Sequence, residues 1–270
     1  MGQTLESVLR REGLVFGAGL VLIVTLAWVW LVLGAGMDMT AIEMTAMAGM
    51  DGWLMRPADW TPAYAALMAS MWTVMMVAMM LPSAAPTLLL FLRMSRRAKG
   101  AATPFAPAAA FALGYVAAWT AFSLLATLGQ WALEAARLMS PMLETTNVWL
   151  GAAILVAAGL WQLTPMKTAC LRHCRSPLGY LMSNWRPGAW GAFRMGAAHG
   201  AYCLGCCWFL MALLFVGGIM NLFWITGLAI LVLIEKVSRF GMWIGRLTGI
   251  AMICAGSYLL LQHGIGALFI

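Results

Sequence analysis

The sequence predicts an all-α integral membrane protein of about seven transmembrane helices, with the N-terminus in the cytoplasm and the C-terminus outside. Three observations carry this. Of 270 residues, 63% are hydrophobic and only 9% charged, with a mean hydropathy of +0.89, outside the range of soluble globular domains. Several separate runs approach or exceed the roughly 18–20 apolar residues that span a hydrocarbon core. Lysine and arginine collect in alternate loops, as the positive-inside rule requires. A transmembrane β-barrel would instead show short segments of alternating hydrophobicity. The formal net charge of +7 is therefore read as topology, and no nucleic-acid partner is expected.

The chain reads as one polytopic domain, residues 1–270. A short polar head with Arg10 and Arg11 precedes the first span, 14–36, whose apolar part exceeds a signal-peptide core and is expected to stay uncleaved. Residues 37–62 form an outer loop in which six of 26 residues are Met and four are acidic. Met37 and Met39 have the Met-x-Met spacing of thioether sites for copper(I); Met anchoring an amphipathic loop on the bilayer is the other reading. The second span, 63–92, carries Met68, Met71, Met75 and Met79 at helical spacing, one stripe that is more often ordinary packing than a set of accessory metal ligands. Pro82 and Pro86 are expected to kink or end it. A basic segment with Arg93, Arg96, Arg97 and Lys99 follows, then spans at 105–130 and 147–163.

Residues 164–190 read as a polar inner loop carrying Cys170, His173 and Cys174 among Lys167, Arg172 and Arg175. Such close spacing suits tetrahedral metal binding, and neighbouring cations favour thiolates. A basic loop with incidental cysteines is the alternative. Spans five and six, 194–216 and 219–235, form a hairpin that turns at Gly217-Gly218 and restarts at Asn221, a good helix N-cap. Its first arm holds His199, Cys203, Cys206 and Cys207. Positions i, i+4 and i+7 share one helix face, so His199, Cys203 and Cys206 line a narrow arc with Cys207 beside it. Thiolate and imidazole suit copper(I), with zinc as the alternative. At the inner end of span six, Glu235 is expected to be neutralised by Lys236 or Arg239, because a lone carboxylate at membrane depth is costly. The last span, 241–262, presents Gly241, Gly245 and Gly249 as a ridge for close helix packing, in this chain or against another membrane subunit.

With the N-terminus inside, 14 of the 16 Lys and Arg fall on the cytoplasmic side and six of the nine acidic residues outside. The expected location is a bacterial inner membrane.

The segments MMVAMMLPSAAP, QLTPMKTACLRHCRSPLGYL and GAAHGAYCLGCCWFLMALLFVGGIMNLFWITGLAILVLIEK resemble a bacterial family of predicted metal-binding integral membrane proteins, a domain of unknown function. The shared motifs are MMLPSxxP, CLxHCRSPLG and HGxYCxGCCWxLM…GxMNLxW…EK, and the likeness covers about residues 60–262. It implies metal binding at Cys170, Cys174, His199, Cys203, Cys206 and Cys207.

Three functions follow as expectations. The first is metal handling in the membrane, most naturally of copper, by transport, delivery or insertion. The second is a transmembrane thiol–disulfide relay through Cys203-x2-Cys206, which lacks an outer thiol partner other than Cys254. The third is an accessory subunit of a larger membrane complex. No P-loop, nucleophile–His–acid set or pair of carboxylates supports ATP-driven, hydrolytic or transferase chemistry.

Overall fold

The computed structural model describes residues 2–47, 59–97, 105–140 and 143–266. The middle of the expected Met-rich loop (48–58, with Arg56) and the segment holding Lys99 (98–104) lie outside the described residues. Eleven helices follow one another among those described: α1 Gly2–Val32, α2 Ala41–Ala46, α3 Pro62–Arg97, α4 Phe105–Ala135, α5 Val148–Leu163, α6 Pro165–Arg175, α7 Pro177–Ser183, α8 Gly188–Ala212, α9 Leu214–Gly217, α10 Leu222–Val237 and α11 Gly241–Gly266. No β-strand occurs among them. The structure is all-helical, as the composition predicts.

Five helices are long and apolar enough to cross a membrane: α1, α3, α4, the α8–α9 unit and α11. The bent pair α5–α6, broken by 64°, brings the number to six if each such pair is one span. α10, at 16 residues, is shorter than the rest. The outward faces fit lipid. Leu14, Val21, Leu22, Leu26 and Val29 on α1, and Leu247, Ile250 and Leu261 on α11, are all exposed, apolar faces of the kind that mark contact with lipid or another apolar partner.

Side-chain caps set several helix ends. Thr40 and Glu43 form a reciprocal capping box at α2, and the bonds to Thr40 hold the Glu43 carboxyl below its ordinary range. Asn147 caps α5 and Asn221 caps α10, so the reversal after Gly217-Gly218 and the restart at Asn221 occur as the sequence predicts, with Gly218 at φ 94°. Two other expectations are corrected. α3 does not end at Pro82 or Pro86 but continues as a helix through both to Arg97, because packing on several sides outweighs the helix bonds each proline removes. Residues 164–190 are not an open loop: Thr164 ends α5 and caps α6, accepting from the Lys167 amide at 3.2 Å, and α7 follows after Ser176.

At the centre, α4 packs against both α3 and α8, with α1 and α10 against α3 and α6 laid against α8. Glycines bring α4 and α8 into backbone contact. A Cβ added at Gly196 would run into the Phe111 carbonyl, and one at Gly114 into the Phe193 carbonyl. A second such pair joins α5 to α11, where Gly249 lies against Gln162 and Gly159. This corrects the expectation for the Gly241/Gly245/Gly249 ridge. All three glycines face groups of this same chain, Gly241 and Gly245 lying against Glu235, so the ridge is not a free surface for another subunit.

Candidate metal centre

α8 presents His199, Cys203, Cys206 and Cys207 to the interior, at 2%, 1%, 1% and 0% exposure. Their common face results from helical spacing, and Gly196 and Gly200 on the same face let α4 approach close enough to seal it. α6 closes the other side. Its Cys174 is partly buried and packs against the core that holds Cys203 and Cys206. Cys170 points at Gly205, where an added Cβ would stand 2.8 Å from its sulfur. The bend at Thr164-Pro165 thus brings the thiols of 164–190 onto those of α8, a junction that sequence spacing does not reveal.

The sulfurs are held by their own helix and its neighbours. Cys206 and Cys207 both face the Cys203 carbonyl, at 3.0 and 2.9 Å. Cys203 Sγ lies 3.0 Å from the Tyr115 hydroxyl of α4 and 2.9 Å from Lys236 Nζ of α10. Lys236 also donates to Ser83 Oγ at 2.9 Å, and Ser83 and Tyr115 both donate to the Met80 carbonyl, at 2.8 and 3.2 Å. Met80 Sδ is 3.9 Å from Cys207 Sγ. Met80, Ser83 and Tyr115 are the residues that sequence reasoning missed. Met80 and Ser83 carry a signal in the MMLPSxxP motif, whereas Tyr115 is marked by nothing local in the sequence.

His199 sits among the rings of Phe111, Tyr115 and Tyr180, and its buried Nδ1 has no hydrogen-bond partner. An orphaned buried nitrogen costs about 1–3 kcal/mol, so its place beside a thiol cluster fits a ligand role. Burial also pushes the Tyr180 hydroxyl up in pKa, keeping it protonated as it donates to the Met195 carbonyl at 2.6 Å.

Among the described residues, no group of three or more His, Cys, Asp or Glu side chains is arranged to hold a metal ion. The Cys206 and Cys207 thiols are turned toward a backbone acceptor, and a methionine sulfur, Met80 Sδ, faces Cys207 across the helix interface. His173 is drawn aside, stacked on Tyr202 at 4.1 Å with Nδ1 against the Ala169 carbonyl. Cys254 is exposed on α11. Met68, Met71, Met75 and Met79 are all buried within α3. Met68 Sδ accepts from Gln130, which also bonds Trp72 and Glu134. Met37 and Met39 pack onto the core from the α1–α2 connection.

The expected Glu235–Lys236 ion pair is not formed. Adjacent helical residues diverge by about 100°, so Lys236 turns to Cys203 while Glu235 turns to α6. There it meets Lys167 at 2.6 Å, with both side chains almost wholly buried, and accepts from Gln162 at 2.8 Å. Arg175 donates to the Glu235 carbonyl at 2.5 Å.

Fold and interior together define a class: all-helical proteins with helices apolar enough to cross a membrane, here built around buried thiols. Residues 69–259, well over half of the chain, match the family model PpoB2, described as copper chaperone, and the chain belongs to that family. Neither the curated proteins nor the solved structures give a match. The metal-related family expected from the sequence motifs is thereby borne out, with copper as its associated metal.

Proposed function

We propose that the protein is an integral membrane copper chaperone that holds copper(I) as cargo between α6 and α8 and passes it to an acceptor. The observation that carries this reading is the packing of α6, with its partly buried Cys170 and Cys174, against the α8 face of buried Cys203, Cys206, Cys207 and the unpartnered His199 Nδ1. Soft thiolates with one imidazole favour copper(I) over hard cations. Small side-chain rotations that release Cys206 and Cys207 from the Cys203 carbonyl would each give up a bond worth about 0.5–1.5 kcal/mol, well below what a metal–thiolate bond returns. Zinc, which prefers four tetrahedral ligands, is the alternative cargo. Lys236, next to Cys203, supplies a positive charge that favours anionic sulfur.

The membrane reading has seven spans in a bacterial inner membrane: α1, α3, α4, α5 with its α6 extension, α8–α9, α10 and α11, N-terminus inside. Met68, Met71, Met75 and Met79 then lie along the outer half of α3 as accessory thioethers, with Met37 and Met39 at the outer surface. All six cysteines are free thiols, which favours ligand roles over the thiol–disulfide relay.

The test is copper(I) titration of the reduced, detergent-purified protein against a chromophoric copper(I) chelator, in parallel with zinc(II). One tightly held copper(I) per chain, lost in a His199→Ala/Cys203→Ser/Cys206→Ser variant that keeps its helical circular dichroism, is the expected result. Wild-type protein that takes up neither metal would overturn the proposal.

A further inference from the structure

We infer that Met80 is a copper(I) ligand, a thioether from α3 that shares the ion with Cys207. The inference rests on the copper reading above and adds a ligand from a helix that supplies none of the thiols. Four observations converge on this residue.

Met80 Sδ and Cys207 Sγ stand 3.9 Å apart, both on fully buried side chains. Two sulfurs bound to one metal at about 2.3 Å each, in a trigonal arrangement, are about 4 Å apart. The pair thus already has the separation that a shared ion requires. Secondly, the Met80 backbone is fastened to the thiol cluster. Ser83 and Tyr115 donate to its carbonyl, Tyr115 also touches Cys203 Sγ, and Lys236 joins Ser83 to Cys203. These bonds fix the backbone from which the Met80 thioether extends.

Thirdly, Met76 lies one turn before Met80 on the same face of α3, and Met75 and Met79 flank that face, all of them buried. Thioethers therefore continue from Met80 along α3 toward Met68, and Met80 is the member of the series that reaches a thiol. Finally, this region has no closed group of His, Cys, Asp or Glu ligands among the described residues. A thioether supplies the missing soft donor for copper(I), whereas zinc gains little from it.

The experiment compares wild type with Met80→Leu, which preserves volume and apolarity. Copper(I) and zinc(II) affinities are measured by chelator competition on the full chain. Copper K-edge absorption is then recorded on copper(I)-loaded protein grown with selenomethionine. The expected outcome is a copper–selenium shell in wild type that disappears in Met80→Leu, with copper(I) affinity lowered on the order of tenfold and zinc(II) affinity unchanged. A merely structural role for Met80 would weaken both metals alike and show no selenium shell. Copper(I) bound without a selenium shell, or with one that survives Met80→Leu, overturns the assignment of Met80 and leaves the chaperone reading standing. A wild type that binds no copper(I) fails the chaperone reading itself.

Discussion

Single residues decide how charge is tolerated in this interior. Lys167 and Glu235 are 3% and 2% exposed and 2.6 Å apart, and Gln162 and Arg175 complete the shell around the carboxylate and its backbone. Removing one member of a buried pair strands the other, at about 3–5 kcal/mol, whereas replacing both by apolar groups is often near neutral. Lys167→Met is therefore expected to lower thermal stability in detergent by an amount of that order. The double variant Lys167→Met/Glu235→Leu should recover most of it, as followed by circular dichroism. Equal losses in single and double variants would mean that the stabilisation lies in packing. The same pair fastens α6 to α10, so it also holds Cys174 where Cys203 and Cys206 are found. Sequence adjacency suggested Lys236 as the partner of Glu235. The true partner is 68 positions away, a distance that local pattern cannot read.

At the level of elements, glycine position separates contact from open space. Gly196 of α8 sits where any Cβ meets the Phe111 carbonyl of α4, while Gly227 of α10 has nothing within 4 Å of an added Cβ. Overpacking a close helix contact costs about 1–3 kcal/mol or more, and an unobstructed helical Gly→Ala gains about 0.5–1 kcal/mol. Gly196→Ala should thus lower the unfolding temperature and weaken copper(I) binding, since it pries α4 and Tyr115 away from Cys203. Gly227→Ala should raise the unfolding temperature slightly and leave binding unchanged. Helix identity was legible here because apolar run length and the Asn221 and Asn147 caps are local signals. The course of α3 through Pro82 and Pro86 was not. Proline's cost is local, whereas the packing that outweighs it comes from α1, α4 and α10.

For the whole molecule, composition was enough to give an all-helical chain with membrane-length helices, and motif likeness was enough to give its metal-related family. The α8 face of His199, Cys203 and Cys206 was legible from helical period alone. The approach of Cys174, Met80 and Lys236 to that face depends on a bend and on helix neighbours, neither of which is written in local spacing. In the proposed seven-span arrangement, the basic residues of 93–97, 167–194 and 236–246 would fall on one side and Asp38, Glu43 and Asp59 on the other. α10 is the decisive element. Its 16 residues rise only about 24 Å, short of the roughly 30 Å hydrocarbon core. Its inner end, however, carries Glu235 and Lys236 buried against protein rather than lipid, so the polar end needs no water to satisfy it. The connection from Gly218 to Asn221 adds length at the other end. Reporter fusions after Gly218 and after Ser238 test this directly. An alkaline phosphatase fusion should be active after Gly218 and inactive after Ser238, with green fluorescent protein giving the opposite pattern, if α10 crosses. Activity at both positions would make α10 a re-entrant arm and reverse the side of α11.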